Sequence, residues 1–342
     1  MNKKMIVLTL GATLSAPVSA QTDITVYGSG QIEFASWSGD FVTGTQVSDN
    51  RGRIGVDATE DLGEGLTALF RAEFEADFSD GDSNAVSTSI PESIVGIDAN
   101  GDGDLLDEIV LSNSTEALSK REMMIGLKGD FGEVNFGRIK QAYKYTGGRE
   151  YDPFNATLHE ARGTSMSGGA LGHNSFLNDS VSYKNTFNQF TAWITYDLDN
   201  GGPSADDQDN SMTASLKFSG NNFEAFIKTA TNNAEINKYT ANSIGGQFKV
   251  SNVTISAQLE NTEFGTTEMD YTFLGSQMQM GKSNLILQYG AQDRGLPDDT
   301  TKLTLGAIHK FSERTRAFAG YSNTDFGSTN RSVISVGMRV DI

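Results

Sequence analysis

The stretch that decides the fold is REMMIGLKGDFGEVNFGR, Arg121 to Arg138. Met123, Ile125 and Leu127 alternate with Glu122, Met124, Gly126 and Lys128, a period of two that sends alternate side chains to opposite faces of a strand. Gly129-Asp130-Phe131-Gly132-Glu133 reads as a tight turn, its glycines supplying backbone angles that other residues resist. Val134 to Arg138 then runs back as a second strand.

The same unit recurs on both sides of this hairpin. Upstream, Ile24, Val26, Ile32 and Phe34 share one parity, interrupted by Gly28 and Gly30 where a wall can bend. Ile54, Val56 and Ala58 repeat the pattern with Arg53, Asp57 and Thr59 on the other face. Leu66, Ala68, Phe70, Ala72, Phe74 and Ala76 then give six apolar positions in succession at period two. Downstream, the alternation resumes at Val181 and Tyr183 and continues in hairpins to Arg331–Ile342.

About sixteen strands follow from this count, with short turns alternating with longer polar loops. A soluble sandwich of that size would leave sheet edges to protect. Closure removes the edges and satisfies every backbone group, which hydrocarbon demands. The expected fold is therefore all-β: a transmembrane antiparallel barrel with short periplasmic turns and longer extracellular loops. With sixteen strands the interior is too wide for side chains to fill, so it holds water.

Composition fits this reading. The mean hydropathy of −0.35 is that of a soluble protein, but lipid-facing and lumen-facing residues alternate in a barrel and average that signal away. The chain has 37 glycines, 5 prolines and no cysteine, so no disulfide or thiolate metal site is available. Lys3 and Lys4, the apolar run Met5–Leu14 and Val18-Ser19-Ala20 read as a signal peptide over 1–20, cut before Gln21. The barrel would then occupy 21–342. The net charge of −18 excludes nucleic acid as a natural partner, because neutralising phosphates needs a basic face. No G-x-S-x-G elbow or comparable constellation nominates an enzyme.

Several words resemble a known family: ITVYGSGQIEF (24–34), EDLGEGLTALFRAEFE (60–75), IGLKGDFGEVNFGR (125–138), and Tyr183 in SVSYKN. Together they are similar to the general diffusion porins of the Gram-negative outer membrane. The resemblance implies a sixteen-stranded homotrimer in outer-membrane lipid and lipopolysaccharide, passing ions and small hydrophilic solutes, with a third loop folded into the pore. One departure is the last residue, Ile342, where such porins usually carry Phe or Trp.

The resemblance places the third loop at about Ile139–Asn178. Its carboxylates Glu150, Asp152 and Glu160 are the expected negative side of a constriction. Arg51, Arg53 and Arg71 have inward parity and Arg138 stands where the loop begins, giving the expected positive side. Net charge and loop carboxylates together suggest a mild cation preference. The alternative is a substrate-specific channel for sugars or anions, which would show an aromatic or basic ladder along the lumen.

No cofactor is required by this reading. Asp98-Ala-Asn100-Gly-Asp102-Gly103-Asp104 resembles the opening of a calcium loop, with Asp98, Asn100, Asp102 and Glu108 as candidate oxygen ligands for Ca²⁺. The pattern then departs, since Ile109 holds the twelfth position. His159, His173 and His309 show no metal spacing. Tyr27, Tyr196, Tyr271 and Tyr289 are candidates for interfacial aromatic girdles, whereas Trp193 has inward parity.

Overall fold

The computed structural model describes residues 22–49, 51–76, 78, 118–161, 176–198, 210–232, 238–295 and 299–342. The signal peptide, the calcium candidates Asp98, Asn100, Asp102 and Glu108, and His173 lie outside them. The first strands are β1 (Thr22–Gly39), β2 (Gly44–Ser48), β3 (Arg53–Gly63) and β4 (Leu66–Ala76). The opening hairpin of the sequence reading becomes β5 (Leu118–Gly129) and β6 (Gly132–Lys140). Four more hairpins follow: β7 (Phe176–Phe187) with β8 (Phe190–Asp197), β9 (Ser211–Ser219) with β10 (Phe223–Asn232), β11 (Tyr239–Val250) with β12 (Val253–Phe264), and β13 (Thr267–Met280) with β14 (Ser283–Asp293). The last strands are β15 (Thr300–Lys310), β16 (Thr315–Asp325) and β17 (Asn330–Asp341).

Every strand pairs antiparallel with its chain neighbour, and β17 returns to β1 through Asp341↔Ser29 to Arg331↔Gly39. The sheet is closed, so no edge is left to meet lipid. Sixteen positions make up its wall, because β2 and β3 are two segments of one strand beside β1. β3 pairs with Thr22–Ser29 and β2 with Glu33–Trp37. In the break between them, Asp49 Oδ1 accepts the backbone N–H groups of Arg51 (3.0 Å) and Gly52 (2.9 Å).

The distribution of polarity is inverted relative to a soluble domain. Ile24, Phe34, Ile125, Ile227 and Leu305 are exposed on the outer face, while Glu33, Glu73, Thr195 and Thr213 are buried inside. Lipid is the solvent that makes this arrangement favourable. Tyr289 is exposed outward and Tyr196 shares the parity of exposed Ile194, so both suit a girdle. Tyr27 and Tyr271 do not. Tyr27 donates to Glu73 Oε2 in the lumen (3.0 Å), and Tyr271 is buried on the inner face.

Short turns at 64–65, 130–131, 188–189, 251–252 and 281–282 mark one end of the barrel. The opposite end carries mostly longer connections. Strands β12 and β13 are the exception, joined there by a two-residue turn, Gly265-Thr266. Gly265 has φ +58°, a left-handed angle that glycine adopts without penalty.

Candidate functional site

The described part of the third loop, which ends at Ala161, lies inside the barrel. After β6 the chain forms one helical turn, α1 (Ala142–Tyr145), then a 3₁₀ turn at Gly148–Tyr151 and a series of tight turns to Ala161. The apolar core of the protein lies between this segment and the wall. Tyr143 packs with Ala230, Tyr239 and Ala241; Tyr151 and Ala161 with Phe226 and Phe273; Phe154 with Ile286, Ile308 and Phe318. Burying these side chains, at about 1.5–3 kcal/mol each, favours the inward path over a solvated one.

Hydrogen bonds fix the path at both ends. Ala142 N donates to the hydroxyls of Thr213 (3.0 Å) and Thr195 (3.2 Å), and Thr146 Oγ1 meets Ser215 Oγ at 2.6 Å. At the far side Leu158 N donates to Glu33 Oε2 (3.1 Å) and Thr304 donates to the His159 carbonyl (3.0 Å). Lys302 Nζ donates to the carbonyls of Leu158 (3.1 Å) and Glu160 (2.8 Å). The segment thus spans from β8 and β9 on one side to β15–β17 and β1 on the other, narrowing the channel between.

The carboxylates of this segment are not where the sequence reading expects them. Asp152 is 2% exposed and faces the wall rather than the aperture. Its oxygens accept from Phe154 N, Ala161 N (each 2.9 Å) and the Gln288 amide. Burial and the nearby Glu160 charge push its carboxyl up to about 6. Glu160 folds back to accept from Ala156 N at 3.0 Å. Only Glu150 points into solvent, with Lys217 Nζ 3.8 Å away. Turns that bend this tightly leave backbone N–H groups without partners, and the acidic side chains serve them.

Arg51, Arg53 and Arg71 face the lumen, in two different states. Arg71 is held by Asp57 (2.6 Å) and Glu122 (3.1 Å), and Arg53 lies 3.5 Å from Glu73. Arg138 bonds Asn178 Oδ1 at 2.6 Å and lies over the Phe176 ring. Arg51 has no carboxylate within ion-pair distance among the described residues. Its Nη1 reaches the loop carbonyl of Asn155 at 3.4 Å, and it stands within electrostatic reach of Arg53, Arg149, Arg316 and Arg339.

Four basic members of the site escaped the sequence reading. Arg316 and Arg339 are direct cross-strand partners on the inner face, an arrangement that costs stability unless something offsets it. Asp341 relieves Arg339. Arg121 bridges Glu73 and Glu75, each at 2.9 Å, and Arg149 comes from the loop itself, bonded to Asn155 Oδ1 at 2.9 Å. Inward parity beside Val336, Met338 and Val340 was the signal available for Arg339.

The family model for the Gram-negative porins matches residues 7–329. The chain belongs to that family. Its relatives place this porin in the outer membrane of a Gram-negative bacterium. It is 25% identical to outer membrane porin protein 32 of Delftia acidovorans, over 99% of this chain and 93% of that one. It is 30% identical to major outer membrane protein P.IB of Neisseria meningitidis, over 43% of this chain; the match spans 36% of that relative's length. Among solved structures, this porin superposes on the anion-selective porin from Comamonas acidovorans with a TM-score of 0.72 at 18% identity, covering 94% of this chain and 100% of that one. It also superposes on the trimer form of OmpT from Vibrio cholerae with a TM-score of 0.64 at 14% identity, covering 94% and 99% respectively.

Proposed function

We propose that this porin forms a water-filled channel through which ions and small hydrophilic solutes diffuse passively, and that its constriction prefers anions. The observation that carries the first part is the inward path of residues 141–161, fixed to the wall on both sides. A barrel with its loop outside would be a wide hole; this one has a filter.

The preference for anions rests on where the charges stand. Net charge and loop carboxylates suggested cations at the level of sequence. Asp152 and Glu160 are occupied by backbone N–H groups, whereas Arg51, Arg149 and Arg316 crowd the passage without a carboxylate within 4 Å among the described residues. Selectivity follows the charge at the narrowest point more than the charge of the whole chain. The anion-selective porin sharing this fold is in keeping with that reading. The assembly is a homotrimer, as the trimer form of OmpT suggests.

Reconstitution into planar bilayers under a potassium chloride gradient tests both parts. Large ohmic steps with a reversal potential of the sign set by chloride support the proposal. Ohmic steps with a potassium-set potential would overturn the anion preference, and no conductance would overturn the channel. Calcium binding through Asp98, Asn100, Asp102 and Glu108 also stands as a proposal; equal uptake of labelled calcium by wild type and Asp102→Ala would retire it.

A further inference from the structure

Away from the constriction, the lumen wall holds a second recess, of about 350 Å³, on the inner faces of β3 to β8. That volume lies at the small end of ligand sites, which run from about 300 to 1,000 Å³. Unlike the apolar wall beneath the loop, the apolar groups here are left uncovered by it. Inward positions of this barrel are mostly polar, yet here Leu69, Met124 and the Trp193 indole, all partly exposed, line one recess. Apolar groups facing a water-filled channel are unfavourable unless something covers them.

The polar half of the recess is unevenly satisfied. Arg71 is taken by Asp57 and Glu122, and Lys140 by Glu122 at 2.8 Å. Glu133 accepts from the Asn135 amide at 2.7 Å. Lys128 and Lys184 flank Glu133 in the cross-strand ladder, and neither has a carboxylate within 4 Å among the described residues. Lys184 Nζ lies instead 4.4 Å from the centre of the Trp193 ring. Four cations (Arg71, Lys128, Lys140, Lys184) against three carboxylates (Asp57, Glu122, Glu133) leave the recess positive.

We propose that this recess is a binding site for small aromatic carboxylates in transit through the pore, a reading that rests on the chain being an open channel. The carboxylate displaces water from the Lys128 and Lys184 ammonium groups, and the ring covers Leu69, Met124 and Trp193. Neither half suffices alone: a simple carboxylate leaves the apolar wall wet, and a neutral ring leaves the ammonium groups unpaired. The lysine already seated over the indole holds the two halves of the ligand site at the right separation.

The test is the ion current of the reconstituted porin titrated with benzoate, with acetate and benzyl alcohol as partial ligands. The expected result is a saturable reduction by benzoate at concentrations where acetate and benzyl alcohol do nothing. Trp193→Leu and Lys184→Gln should each weaken it roughly tenfold, the scale of one lost charge-assisted or ring contact, with the chloride conductance unchanged. Normal conductance with benzoate acting no more strongly than acetate overturns the site. So does an undiminished benzoate effect in both variants. Absence of any conductance overturns the channel reading itself, and is thereby told apart from failure of the site.

Discussion

His159 Nε2 lies 2.6 Å from Ser335 Oγ, and the proton in that contact belongs to the histidine. Ser335 donates its own hydroxyl proton to Glu33 Oε1, so Oγ can only accept from the ring. The Nδ1 of the same ring lies 2.8 Å from Ser322 Oγ, and burial keeps the ring neutral. A neutral imidazole thus ties the tip of the third loop to β16 and β17, with Phe154 packed against its edge at 5.5 Å between ring centres.

The seat of this ring requires glycine at position 320. A Cβ there would stand 2.7 Å from His159 Cδ2, closer than carbon atoms approach. Gly320→Ala should therefore displace the ring and weaken docking of the loop by about 1–3 kcal/mol, the range for overpacking. Single-channel records should show added current fluctuation while the barrel itself stays heat-modifiable on electrophoresis. Recordings as quiet as wild type would contradict the assignment of His159 as a tie.

Acid acts on the docked loop through two groups of opposite sign. Burial, helped by the Lys302 charge, pushes His159 down to about 4 from 6.5, so protons favour the undocked loop as pH falls from 6.5 to 4. Asp152 is pushed up to about 6 from 3.8, so protons favour the docked loop as pH falls from 6 to 3.8. Each contribution reaches up to about 3 kcal/mol and the two largely offset. Glu33, Glu160 and Lys302 complete the charged surroundings. Wild-type conductance should change little between pH 7 and 4.5. Asp152→Asn leaves only the histidine and should become noisy in acid; His159→Gln should become quieter. Identical pH profiles for the two variants would contradict this.

Selectivity should follow the unpaired arginine rather than the buried acid. Arg51→Gln removes one partly screened charge at the aperture and should shift the permeability ratio toward cations by roughly two- to fivefold. Asp152→Asn should shift it far less, because Asp152 is tied to Gln288 behind the loop. Reversal potentials in a salt gradient measure both. A larger shift for Asp152→Asn than for Arg51→Gln would restore the arrangement expected from sequence.

Much of the barrel was legible because period-two alternation is a local signal, present in every hairpin from β5–β6 outward. The inward parity of Arg53, Arg71 and Trp193 came from the same source. What escaped reading was set by contacts far apart in sequence. Asp152 meets Gln288, 136 residues away, and no parity rule tells whether a loop carboxylate faces water or the wall. Arg149 lies on a 3₁₀ turn without strand periodicity. Tyr27 has inward parity in β1, yet its residue type suggested a girdle; Glu73 and Arg71 decide its place.

The central claim, that residues 141–161 lie docked across the lumen, is tested most directly at Thr146 and Ser215. Their hydroxyl oxygens are 2.6 Å apart, so the two side chains meet end to end where cysteines could bond, and the chain has no cysteine to interfere. Thr146→Cys with Ser215→Cys should form a disulfide on mild oxidation of the folded porin, with conductance equal to wild type. Thiols that stay free and react fully with a membrane-impermeant maleimide, in a barrel that still conducts, would contradict the inward loop.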